Sequence, residues 1–126
     1  MTDMTMDNFL TVLSSSEPVP GGGGACGYVA AVGMSLGNMV LALTTGKKKY
    51  AEYQEEIEEL IVKATDLTKR LAECMDKDAE SFKPLAAAYG LPKDTEEQIK
   101  EREAIMAKAL VTASEAPLSC LLYTSD

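Results

Sequence analysis

Asp78 is the one charged side chain inside an otherwise apolar helical stripe, so it is the first candidate for proton chemistry. An ionised carboxylate among apolar neighbours is costly unless it is paired, hydrogen-bonded or protonated. Two readings are open. Asp78 is either a structural carboxylate, bonded to a Lys, Ser or Thr of a neighbouring helix or turned outward at a kink, or an acid–base group beside a substrate. The chain has no histidine, which removes His-dependent triads and the common zinc sites. Acid–base work must then fall to Asp, Glu, Lys, Tyr, Cys or water.

Two further clusters suit a small anion. Gly21, Gly22, Gly23 and Gly24 lead into a run free of charged residues, from Ala25 to Thr45, and a helix starting there aims free N–H groups forward. A glycine run is also an ordinary tight turn, and this one lacks the Gly-Lys-Ser/Thr ending of a phosphate loop. Lys47, Lys48 and Lys49 close the same block; they are either a solvated cluster complementing a helix end or a local cationic focus. Tyr28, Tyr50 and Tyr53 could stack on a flat heterocycle or pack against core and rim.

Composition narrows the partners. The 126 residues carry a net charge of −8, which argues against nucleic acid and leaves anion binding to a local basic focus. Cys26, Cys74 and Cys120 lack metal-ligand spacing, so no metal site is expected. They read as reduced thiols of a cytoplasmic protein, with Cys26 and Cys74 as core fillers. Met1 to Leu13 has no basic segment, unlike a signal peptide. The run from Ala25 to Thr45 is just long enough to span a bilayer, but its glycines, Ser35, Asn38 and threonines make a buried helix the better reading, with no membrane partner.

The elements that must position these groups are all helical. Thr5 caps a short helix to about Ser14, and Ser14 to Pro20 is a loop. A second helix runs from near Gly24 to Thr44, where Gly33 and Gly37 would admit a closely packed backbone. The third runs from Lys48 or Tyr50 to about Phe82 and is about 45 Å long. Its stripe is Tyr53, Ile57, Leu60, Ala64, Leu67, Leu71, Met75 and Phe82, and Pro84 is expected to kink or end it. Thr95 with Gln98 forms a capping box that opens a fourth helix, interrupted at Pro117. The tail, residues 120–126, fits no helical pattern and reads as non-native sequence, with residues 1–119 as an incomplete domain.

Three ordered segments resemble the cyclodeaminase/cyclohydrolase family of folate enzymes. They are Pro18-Val19-Pro20-Gly21-Gly22-Gly23-Gly24-Ala25, Leu43-Thr44-Thr45-Gly46-Lys47-Lys48-Lys49-Tyr50 and Asp76-Lys77-Asp78-Ala79-Glu80-Ser81-Phe82. Asn8-Phe9-Leu10 and Gly90-Leu91-Pro92-Lys93 are similar too, so the likeness spans about residues 5 to 119. It departs at Gly24, where the family commonly has Ser, and in lacking the helices that follow in the family domain.

The resemblance implies an all-α, layered helical bundle that forms a homodimer and binds folate in a cleft near the subunit contact. The implied activity is ring closure of 5-formimidoyltetrahydrofolate to 5,10-methenyltetrahydrofolate with release of ammonia, or hydrolysis of the methenyl form. A tetrahydrofolate derivative, carrying one or more glutamates, is then the substrate, and no cofactor is permanently bound. Asp78 is the implied acid or base; Gly21 to Gly24, Lys47, Lys48, Lys49 and Tyr50 are the implied substrate contacts. The alternative is a non-catalytic helical dimerisation module whose glycines serve packing.

Overall fold

The computed structural model describes residues 1–124, all of whose regular structure is helical. Helix α1 spans Met6–Leu13, α2 Gly22–Thr44, α3 Gln54–Tyr89 and α4 Glu96–Thr124, with a 3₁₀ segment, Lys48–Tyr53, leading into α3. The order gives two long antiparallel hairpins, α2–α3 and α3–α4, with α3 as the shared spine. The layered all-α arrangement expected from the sequence is the one observed.

Local chemistry explains most boundaries. The Thr5 hydroxyl accepts the Asn8 N–H at 3.2 Å and starts α1. Thr95 and Gln98 exchange side-chain and backbone bonds, both 3.2 Å, at the start of α4. Helix α2 ends where Gly46 takes a positive φ of 73°, a conformation that other residues resist. Gln54 then clasps the turn: its Oε1 accepts the Gly46 N–H at 2.9 Å, and its Nε2 donates to Thr45 Oγ1 at 2.7 Å.

Neither proline ends its helix. Helix α3 continues through Pro84 to Tyr89, and α4 continues through Pro117. Pro84 is exposed, so solvent can take the carbonyl its ring leaves unbonded. Pro117 has its Cγ against Gly23, where the missing side chain makes room. Part of the tail is therefore helical: Cys120 is buried in the core, while Leu121 and Leu122 are exposed. Ser125 and Asp126 lie outside the described residues.

The core is narrow and aliphatic. Leu71 and Met75 are its largest fully buried side chains, joined by Ala31, Ile57, Ala64, Cys74, Leu85, Ala88 and Ala109. Ile57, Ala64, Leu71 and Met75 of the expected α3 stripe are buried, but Tyr53 and Leu60 face outward. Cys26, expected in the core, is exposed. The glycine that admits close packing on α3 is Gly27, whose absent Cβ would lie 3.2 Å from the Leu71 carbonyl oxygen and 3.3 Å from Cys74 Cβ. Gly33 and Gly37 have nothing within 4 Å of such a position. They lie instead on a bare face of α2 with Val29, Val32, Leu36, Val40 and Leu43.

Candidate functional site

The structure brings Asp78 and the glycine run together. Helix α2 begins at Gly22 with Gly21 as its cap, and glycine offers no side chain to bind the free N–H groups there. Asp78, from α3, supplies the missing acceptor: its Oδ2 takes the Gly24 N–H at 2.8 Å. A carboxylate at this position is also favoured by the positive end of the helix. Its other oxygen, Oδ1, lies directly over Gly23. A methyl group there would overlap Oδ1 and approach Asp78 Cγ at 2.9 Å and Pro117 Cγ at 3.1 Å. Gly24 is less constrained, since its Cβ would make ordinary contacts at 3.4 Å with Asp78 Oδ2 and Met75 Cγ. The Gly24 N–H is thus already bonded to a carboxylate belonging to the chain.

Asp78 is partly buried rather than sealed in the core, so it keeps access to solvent and to a ligand. Asp76, two positions before Asp78 and so on a different face of α3, is committed to the chain's own amino terminus, with Met1 N 2.9 Å from Asp76 Oδ1. That hydrogen bond and charge raise the amine above its ordinary value against a smaller opposing effect of burial. A partly open cavity of about 320 Å³ lies beside this end of α2, walled by Met1, Thr2 and Met4, by α1 and α2, and by Met75 of α3, with Phe9 and Tyr28 in its wall.

Lys47, Lys48 and Lys49 stand elsewhere. They follow the far end of α2, about 33 Å from its start at 1.5 Å per residue. All three are exposed and none forms an ion pair among the described residues. Lys49 Nζ lies 5.5 Å from the centre of the Tyr50 ring, a cation–π distance. Gly46, Lys47, Lys48, Ala51 and Gln54 surround an open hollow there. Within one chain, then, the carboxylate–glycine pair and the lysine–Tyr50 group form two separate centres.

A sequence profile described as formiminotransferase-cyclodeaminase matches residues 5–125. The chain belongs to this family. Among its relatives, the methenyltetrahydrofolate cyclohydrolase of Methylorubrum extorquens is 42% identical over 116 residues, covering 92% of this chain and 56% of that protein. The formimidoyltransferase-cyclodeaminase of Dictyostelium discoideum is 32% identical over 121 residues, covering 96% of this chain and 22% of that one. In three dimensions the fold matches the crystal structure of formiminotetrahydrofolate cyclodeaminase from Thermotoga maritima with a TM-score of 0.76 and 26% identity, covering 97% of this chain and 57% of that one. The chain therefore spans about half the length of the cyclohydrolase and of the solved cyclodeaminase.

Sequence reasoning missed three features of this family member. Gln54 was readable only as a polar residue near a helix start, because its partners Thr45 and Gly46 are defined by the turn between them. Gly27 carried no signal beyond being a helical glycine. The Phe9–Tyr28 ring pair, 5.5 Å between centres, joins residues whose helices pack only in three dimensions.

Proposed function

We propose that this protein acts in folate one-carbon metabolism on the carbon held between two folate nitrogens. The first reading is hydrolysis of 5,10-methenyltetrahydrofolate, the reaction named for the 42%-identical relative. The second is ring closure of 5-formimidoyltetrahydrofolate with loss of ammonia, in keeping with the cyclodeaminase names of the other relatives. The observation that carries the reading is the Asp78 carboxylate, fixed at 2.8 Å by the Gly24 N–H and only partly buried.

Both substrates are amidinium cations, and a fixed carboxylate is their natural counter-charge. In hydrolysis, water adds to the methenyl carbon and Asp78 accepts its proton. One carbon–nitrogen bond then breaks, the freed nitrogen takes a proton, and a formyl group stays on the other; overall one water is consumed and one proton released. In ring closure, N10 attacks the formimidoyl carbon, Asp78 takes the N10 proton and passes it to the departing nitrogen, and ammonia leaves. Either role is general acid–base catalysis, worth about 10²–10⁴-fold in rate.

Lys47, Lys48, Lys49 and Tyr50 are the proposed contacts for glutamate carboxylates. They stand farther from Asp78 than the pterin and first glutamate of one folate can reach. A homodimer paired antiparallel along α2 would set one copy's lysines beside the other copy's Asp78. The bare apolar face of α2 supports such pairing, and would equally support a non-catalytic dimerisation module. The protein is further proposed to be cytoplasmic, with no permanently bound cofactor and no nucleic-acid or membrane partner. Helices α2 and α4 are long and apolar enough to cross a bilayer by length and composition.

The test uses the near-UV absorbance of the methenyl compound. The protein should consume it, or form it from the formimidoyl substrate. Asp78→Asn keeps an oxygen to accept the Gly24 N–H, so the fold should survive while turnover falls at least a hundredfold. Unchanged turnover in that variant would remove Asp78 from the chemistry, and no reaction with either substrate would favour the dimerisation module.

A further inference from the structure

We propose that the cavity between α1 and α2 is the seat for the p-aminobenzoyl ring of the substrate, which fixes the direction in which folate lies across Asp78. This rests on the folate reading above and deepens it.

The cavity and the carboxylate share walls. Met75 lines the cavity and lies three residues, one helical turn, before Asp78. Ala25 also lines it and directly follows Gly24, whose N–H holds Asp78 Oδ2. Asp78 does not itself line the cavity but stands one helical turn beyond its wall, so a ligand seated there can extend toward the carboxylate.

The lining decides which part of the substrate enters. Met4, Met6, Phe9, Leu10, Val29 and Met75 offer thioethers and hydrocarbon, with Tyr28 adding a ring tilted 50° to that of Phe9. The pterin carries several donors and acceptors, and burying them against such side chains would leave them unsatisfied. The glutamate tail is charged, and the one cationic group among the lining residues, the Met1 amine, is already paired with Asp76. The p-aminobenzoyl ring is flat and largely apolar, and fits against aromatic edges and polarisable sulfur. A volume of about 320 Å³ is at the lower end of the range for small-molecule sites, so it suits one ring system rather than the whole folate.

Connectivity supplies the rest. The ring is bonded to N10, and N10 is one end of the amidinium in the methenyl form and the attacking atom in ring closure. With the ring in the cavity, that nitrogen and its carbon come to the mouth, on the Asp78 side. The carbonyl and glutamate must then leave through the opening toward solvent. Asp76 is engaged by Met1, so Asp78 is the carboxylate left to meet the cation.

Met6, on α1, lines the cavity yet is 76% exposed, which places it at the rim and off the bare face of α2, and the chain has no tryptophan. Met6→Trp should close the cavity without disturbing the core and also supply a single tryptophan. The probes are p-aminobenzoylglutamate, which has the ring and tail without the pterin, and 5,10-methenyltetrahydrofolate itself. Wild-type protein should bind p-aminobenzoylglutamate in competition with the methenyl compound. Met6→Trp should weaken both at least tenfold and raise KM far more than it lowers kcat, at an unchanged melting temperature. Tyr28→Leu, which removes a ring but keeps the lining apolar, should give a smaller loss of the same kind. If Met6→Trp turns over the methenyl compound with wild-type KM, the aryl seat is overturned and the folate reading stands. If the wild type never consumes the methenyl compound but binds p-aminobenzoylglutamate in a Met6→Trp-sensitive way, the seat stands and the catalytic reading falls. Binding of neither probe overturns the seat.

Discussion

A methyl group on Gly23 has nowhere to go, because Asp78 Oδ1 and Cγ on one side and Pro117 Cγ on the other already fill the space. Gly23→Ala should therefore push α3 or α4 away from the start of α2 and destabilise the fold by about 1–3 kcal/mol. Gly22→Ala, with nothing within 4 Å, should be neutral or stabilise by up to about 1 kcal/mol. Urea unfolding of the pair measures the difference, and equal stabilities would mean that Asp78 does not sit over Gly23 in solution. Cys74 gives a second test at this scale. Burial, reinforced by Cys120, pushes its thiol above the ordinary value. A thiol whose value is raised by folding contributes stability below its unfolded value and loses it as pH rises toward the folded one, so the protein should weaken only once the pH passes the ordinary thiol value. Native protein treated with a thiol reagent at neutral pH should be labelled first at the exposed Cys26; prompt labelling of Cys74 would contradict its burial. Asp78 itself was legible in the sequence because periodicity put it on the buried side of a helix. Its partner was not, since Gly24 lies 54 positions away and a backbone N–H has no sequence signature.

Helix α2 has two unlike faces, and its glycines divide between them. Gly27 meets the backbone of α3, so Gly27→Ala must separate two helices whose contact carries much of the core; a loss of about 1–3 kcal/mol is expected. Gly33 and Gly37 meet nothing, and alanine at either should strengthen the isolated helix by up to about 1 kcal/mol. Thermal unfolding at low protein concentration distinguishes the two classes, and a destabilising Gly33→Ala there would show that the open face is covered within one chain. Four helices, two caps and the long α3 stripe were readable, because each rests on local chemistry or on a 3.6-residue period. The passage of α3 through Pro84 was not readable: whether a proline ends a helix depends on what receives the displaced carbonyl, and here that side is open. Which glycines pack was hidden for a related reason, since spacing alone gave Gly33 and Gly37 the same standing as Gly27.

At the scale of the whole molecule, the two candidate centres and the bare face between them form one problem. Asp78 and the lysine trio occupy opposite ends of a helix about 33 Å long, while the side of that helix turned away from α3 is apolar. Val29, Leu36, Val40 and Leu43 are each more than half exposed there, a patch of the kind that soluble proteins usually cover. Antiparallel pairing of two such helices is self-consistent, because a two-fold axis midway between Met34 and Ser35 sets Val29 against Val40 and Gly33 against Leu36. The same axis brings Gly22 opposite Lys47, which would assemble each site from two chains. Sedimentation should then show a concentration-dependent dimer. Leu36→Lys, which puts like charges across the axis, should dissociate it while leaving helicity intact. Turnover should fall in parallel with dissociation. It should recover when Leu36→Lys is mixed with Leu36→Glu, because opposite charges then face each other across the contact. A wild-type protein that stays monomeric at every concentration and still turns over folate would mean that Asp78 works without the partner's lysines.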